Sequence, residues 1–222
     1  MRIFLAIVAR DTRLAFRSGG GAMNAVIFFA LTIVIFALAA GPDRTRLAEI
    51  AVPVLWTGAA LSAMLSFDRI FQQDKEDGAL DAIAETTDMM SVVALAKAAA
   101  HWLSTLLPLI IAAPVLGILL NMPGEAYWPV IVSLLVGAPA ISMLGTLASA
   151  LALPLRRASV LMTILTAPLV SPSLIFGVGA AKAGAAGDPL FAPSLMILAA
   201  FTLVSCVVAP LAAAALIRFN TD

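Results

Sequence analysis

Only 12% of the 222 residues are charged, 62% are hydrophobic, and the formal net charge is zero. A soluble domain carries about twice as much charge, and a chain with no net charge has no electrostatic case for nucleic acid. With a mean hydropathy of +1.06 and recurring apolar runs of about 20 residues, each able to cross ~30 Å of hydrocarbon as a helix, this is an all-α polytopic membrane protein.

Residues 1–21 predict an amphipathic helix on the inner leaflet, with a frayed basic terminus as the plain alternative. Ile3, Phe4, Ile7, Val8, Leu14 and Phe16 offer apolar contact while the arginines face headgroups. Ile3–Ala9 is apolar, but Arg10, Asp11, Arg13 and Arg17 follow it, which is not the pattern of a cleavable signal peptide. Ser18-Gly19-Gly20-Gly21 then turns the chain into the first span.

Six spans are expected at Ala22–Ala40, Leu47–Phe67, Ala98–Leu120, Trp128–Leu153, Val160–Ala180 and Leu195–Ile217. Residues 22–67 thus hold spans one and two, 68–97 an intervening polar segment, 98–217 spans three to six and 218–222 a short tail, all as one transmembrane domain. The basic residues set the orientation. Ten (Arg2, Arg10, Arg13, Arg17, Arg69, Lys75, Lys97, Arg156, Arg157, Arg218) fall on the side of the N-terminus and three (Arg44, Arg46, Lys182) on the other. The positive-inside rule places both termini in the cytoplasm. The outer loops Gly41–Arg46, Asn121–Tyr127 and Ala181–Ser194 leave no room for an external domain.

Within the spans, Pro108, Pro114, Pro139, Pro168 and Pro172 imply either kinked packing or broken helices. Gly137, Gly145, Gly177 and Gly179 allow close helix approach. Charges inside the spans are nearly absent, which argues against an ion-coupled carrier. Cys206 lies alone in span six, so no disulfide or paired-cysteine metal motif arises and its expected role is that of a small buried apolar residue. None of Lys75, Lys97 and Lys182 ends a GxxxxGK[ST] loop, so any ATP must be bound by another subunit. One histidine supplies no triad or metal cluster, and no catalytic or metal site is expected.

The segment Phe67–Trp102 stands out. It carries seven of the thirteen carboxylates, namely Asp68, Asp74, Glu76, Asp77, Asp81, Glu85 and Asp88. Ile70 and Phe71 open it, Gly78 breaks it, and Leu80, Ile83 and Ala84 resume helical spacing. Two short amphipathic helices meeting at a glycine hinge are expected, with the carboxylates exposed on one side. Such a segment either solvates a loop or docks into a soluble partner.

FQQDKEDGALD followed by LAKAAAHW closely resembles the heme exporter B (CcmB) family. The matching positions are Phe71, Gln72, Asp74, Glu76, Asp77, Gly78, Leu80, Leu95, Ala96, Lys97, His101 and Trp102. Leu107-Pro108-Leu109, Leu155-Arg156-Arg157 and Leu174-Ile175-Phe176-Gly177 are shorter and weaker likenesses, and Ala82–Met90 departs from the aliphatic, proline-containing stretch usual there. The resemblance implies an ABC-2-type permease-like subunit in the bacterial inner membrane. Its implied partners are a cytoplasmic ATPase (CcmA-like), a heme-handling membrane subunit (CcmC-like) and a periplasmic heme chaperone (CcmE-like), acting in cytochrome c maturation. Phe71, Gln72, Asp74, Glu76, Asp77, Gly78 and Leu80 then resemble a coupling helix whose carboxylates meet groups on the ATPase.

Lys97, His101 and Trp102 are the remaining candidates. His101 suits either a hydrogen-bonded structural or coupling role or, in a heme pathway, an axial ligand. Trp102 reads as an interface anchor. Trp56, Trp102 and Trp128 are scattered, so heme is expected to be handled chiefly by a partner. Two functions stay open: a mechanical component that turns ATPase closure into release of heme-loaded chaperone, or a direct exporter of heme or another amphipathic substrate. A generic drug or polysaccharide exporter fits the FQQDKEDG run less well.

Overall fold

The computed structural model describes residues 2–17, 21–87, 89–154 and 158–221, and all regular structure among them is helical. The Ser18-Gly19-Gly20 turn, Asp88 and the Leu155-Arg156-Arg157 run lie outside the described residues. Helix α1 (Arg2–Arg17) is the expected amphipathic element. It buries Ile7, packs mainly on α6 (Met90–His101), and leaves Ile3, Leu5, Leu14 and Phe16 exposed, as a helix at a lipid interface does.

Six long apolar helical stretches follow. They are α2 (Gly21–Ala40); α3 (Arg44–Met64) with its continuation to Glu76; α6 with α7 (Leu107–Leu119); α8 (Tyr127–Ala152); α9 (Ala158–Ala185); and α10 (Phe191–Thr221). Asp43 starts α3 by accepting hydrogen bonds from the Thr45 and Arg46 amides at 2.9 and 3.3 Å, which satisfies two donors that a helix start leaves free. Between α3 and α6 lie α4 (Arg69–Glu76) and α5 (Ala79–Thr86). Gly78 joins them at φ +71°, a left-handed conformation that glycine adopts without strain. The helix pair and its glycine hinge are as the sequence predicts.

α3 and α8 form the inside of the bundle: 67% of each span window is buried, against 22% for α2 and 28% for α10. Ile27, Leu31, Ile35 and Leu38 of α2 and Leu203, Val207 and Leu211 of α10 are left to lipid. Glycines set the inner spacing. The Trp56 indole of α3 is fully buried against Gly137 of α8 and Gly177 of α9, and Phe67 lies on Gly145 of α8. A side chain at any of these three glycines would overlap an aromatic ring. Gly179, by contrast, faces open space, so close packing extends to three of the four expected glycines.

The prolines do not break their helices. α3, α7, α8, α9 and α10 run continuously through Pro53, Pro114, Pro139, Pro168, Pro172 and Pro210. One irregularity interrupts span three: a π-helical turn at Trp102–Leu106, where the Leu107 amide reaches the Trp102 carbonyl. Pro108 explains it, since it has no N–H to give the carbonyl one turn earlier and the ring closes wider instead.

Span three also begins earlier than the sequence suggests. The helix starts at Met90 rather than Ala98, because the Ala-rich run VVALAKAAA is a strong helix former and a lysine does not end a helix. Lys97 is consequently inside a membrane-length helix rather than in the preceding segment.

Candidate functional site

The sequence places α4 carboxylates on a solvated face, and the structure divides them. Glu76 and Asp77 are exposed, as is Gln73, whereas Asp74 is only 7% exposed and points inward between α1 and α6. Phe71 and Leu80, at 0% and 2%, anchor the same inner face in the hydrophobic core. The exposed face expected of these carboxylates therefore does not include Asp74. Its partners are in its own chain.

Both Asp74 oxygens accept from Arg10 Nη2, at 2.9 and 3.0 Å, and Asp74 Oδ2 pairs with the Lys97 ammonium. Lys97, itself 6% exposed, also reaches Asp11 Oδ2 at 2.9 Å, and Arg10 Nε reaches Asp11 Oδ1 at 2.7 Å. Two cations thus share two carboxylates, tying α1, α4 and α6 at one point. Burial works against the Arg10 cation, but Asp11 and then Asp74 outweigh it and hold its pKa above the ordinary value. A buried charge survives only when so compensated. The Lys97 ammonium also sits 6.0 Å above the Phe71 ring. Arg10, expected to face headgroups, instead turns to Asp74.

Two further ties run from this segment to α8. Lys75 Nζ donates to the Leu153 carbonyl at 3.0 Å, a cation on an unsatisfied carbonyl at a helix C-terminus. Phe67 inserts at Gly145 and lies 5.2 Å, centre to centre, from the His101 ring. Gln72 is occupied locally, donating to Glu76 Oε1 at 3.0 Å on its own helix.

His101 is buried inside the bundle, at 7% exposure. Its Nε2 is 2.9 Å from Ser66 Oγ and its Nδ1 2.8 Å from Ser142 Oγ. Ser66 Oγ is also 2.9 Å from the Ala63 carbonyl, and the tautomer of the ring sets which nitrogen donates and which accepts. Both nitrogens are engaged, and an axial bond to heme iron would cost one of these bonds. Among the described residues no cluster of three His, Cys, Asp or Glu side chains is placed to hold a metal. Trp102 is partly buried in the π turn, with its indole N–H enclosed and without a partner there.

Beside the ion network lies a cavity of about 240 Å³, walled by α1 at Leu14 and Ala15, by α4 at Arg69 and Gln73, and by the π turn at Ser104 and Thr105. Sequence reasoning identified Asp74, Lys97 and His101 separately but missed Arg10, Asp11, Ser66 and Ser142 as their partners. The adjacent opposite charges Arg10 and Asp11 in the amphipathic N-terminal helix are the available signal.

Six spanning helices around a glycine-spaced core, with a buried ion network at one end, define a multi-pass, permease-like membrane protein. The chain belongs to the CcmB family: the family described as CcmB protein matches residues 2–220. It is similar to Heme exporter protein B of Bradyrhizobium diazoefficiens, 44% identical over 222 residues that cover all of both chains. The protein of the same name from Paracoccus denitrificans is 47% identical over 216 residues, covering 97% of this chain and 98% of that one. Heme exporter protein B of Escherichia coli K12 is 35% identical over 218 residues, covering 98% and 99%.

Proposed function

We propose that this chain is the non-catalytic permease subunit of a heme exporter in a bacterial inner membrane, with both termini cytoplasmic. A separate CcmA-like ATPase docks on α4 and α5. Together with a CcmC-like membrane subunit and a CcmE-like heme chaperone, the complex uses ATP hydrolysis to release heme-loaded chaperone for cytochrome c assembly.

The two faces of α4 carry this reading. Its outer face presents Gln73, Glu76 and Asp77, while its inner face is tied to α1 and α6 through Asp74, to α8 through Lys75, and to the core through Phe71. A partner that moves such a helix moves three others with it. Packed elements of this kind switch between discrete arrangements rather than deform smoothly. Direct export of heme through this chain draws less support. The 240 Å³ cavity is below the ~300 Å³ lower bound usual for drug-sized ligands and does not enclose a porphyrin in this conformation.

The test is ATP hydrolysis and release of heme-loaded chaperone by the purified complex carrying Asp77→Lys or Gly78→Pro, with subunit co-purification measured in the same samples. Loss of assembly or of both activities, in a chain that still inserts, is the expected result. Unchanged assembly and activity would leave the outer face of α4 and α5 without a docking role.

A further inference from the structure

The cavity beside the ion network contains polar groups that the network itself leaves unused. Ser104 and Thr105 are 5% and 3% exposed and line it, yet neither hydroxyl bonds to another described residue. Elsewhere Thr32, Ser62, Thr146, Thr166 and Ser205 each turn back to the carbonyl four residues earlier. Arg69 and Asp77 also line the cavity, at its exposed side, and no ion pair engages either one among the described residues.

We propose that this cavity holds the phosphoethanolamine head of a membrane phospholipid, a phosphodiester carrying a primary ammonium. The Ser104 and Thr105 hydroxyls and the Arg69 guanidinium supply donors to the phosphate, and the Asp77 carboxylate receives the ammonium. Three observations select this chemistry. First, the two hydroxyls face the cavity with no protein partner among the described residues and are free to donate to an acceptor held there. Second, the lining balances Arg10, Arg69 and Lys97 against Asp11, Asp74 and Asp77, which suits a zwitterion better than a net anion. Third, one wall is α1, whose exposed Ile3, Leu5, Leu14 and Phe16 set it at the level of lipid heads. The volume, about 240 Å³, equals roughly eight waters at ~30 Å³ each, enough for a headgroup but not for a large metabolite.

The experiment is native mass spectrometry of the full chain, purified in mild detergent and stripped of lipid. It is then titrated separately with dioleoyl phosphatidylethanolamine, dioleoyl phosphatidylglycerol, soluble glycerophosphoethanolamine and inorganic phosphate. One phosphatidylethanolamine retained per chain, in clear preference to phosphatidylglycerol, is expected. Ser104→Ala combined with Thr105→Val should weaken retention by about tenfold or more, since two hydrogen bonds to a charged group are lost. If that variant elutes as misfolded protein, Arg69→Gln, at the exposed side, gives the same readout with a smaller loss. Equal retention of the two lipids, no adduct at all, or retention indifferent to Arg69→Gln overturns the proposal. Glycerophosphoethanolamine or phosphate binding as tightly as the whole lipid overturns a lipid source and leaves the phosphate chemistry to a soluble ligand.

Discussion

The same helix, α8, is held in two different ways along its length. Around Gly137 the contact is dry and shaped: Trp56 fills the space against Gly137 and Gly177, with one hydrogen bond from its indole N–H to Ser133 Oγ at 3.1 Å. Toward Leu153 polar and charged contacts join the packing of Phe67 on Gly145: Ser142 meets His101, and the Leu153 carbonyl meets Lys75, whose helix also carries the Asp74 network. Close-packed rings against backbone have no second arrangement that avoids overlap. Two cations sharing two carboxylates do, because Arg10 and Lys97 can redistribute Asp11 and Asp74 between them. The difference teaches where movement enters. On the proposed reading, the middle of the bundle is the pivot and the charged end is the part that the ATPase shifts.

Removing one member of the buried network should have the largest effect on stability. Asp74→Ala leaves Lys97 and Arg10 to Asp11 alone, and a cost of about 3–5 kcal/mol is expected for a buried pair broken on one side. Thermal unfolding in detergent, compared with an Asp74→Leu/Lys97→Met pair, checks it, and the double variant should recover much of the loss. If the pivot is shape-packed, Gly177→Val should cost about 1–3 kcal/mol by overpacking against the Trp56 ring, read in the same melts. Ser142→Ala should cost about 1 kcal/mol through the lost bond to His101 Nδ1. Asp77→Lys, on the exposed face, should leave the melting temperature within error while abolishing partner-dependent activity. Equal costs at Asp74 and Asp77 would erase the distinction between the two faces of α4.

Much of this architecture is readable from the chain. Six spans follow from apolar run lengths, the α4–Gly78–α5 pair from amphipathic spacing around a glycine, and the close approach at Gly137, Gly145 and Gly177 from small residues in apolar helices. What stays hidden depends on tertiary placement. Arg10 and Asp74 are 64 positions apart, and no local pattern reveals that α1 folds onto α6. A carboxylate in an amphipathic helix looks solvated until a buried lysine is set opposite it, so Asp74 and Asp77 read alike in sequence. Lys97 looked like a boundary because it interrupts an apolar run, but the alanines around it carry the helix through.

The central claim is that the outer face of α4 recruits the partner and the inner face transmits its motion. Asp74→Asn tests it most directly, with ATPase co-purification and release of heme-loaded chaperone measured on the same complex. Asp74→Asn should keep the ATPase bound while chaperone release falls sharply, whereas Asp77→Lys should lose the ATPase itself. If Asp74→Asn, in a chain that still folds and inserts, leaves chaperone release unchanged, the buried network transmits nothing and the account is wrong.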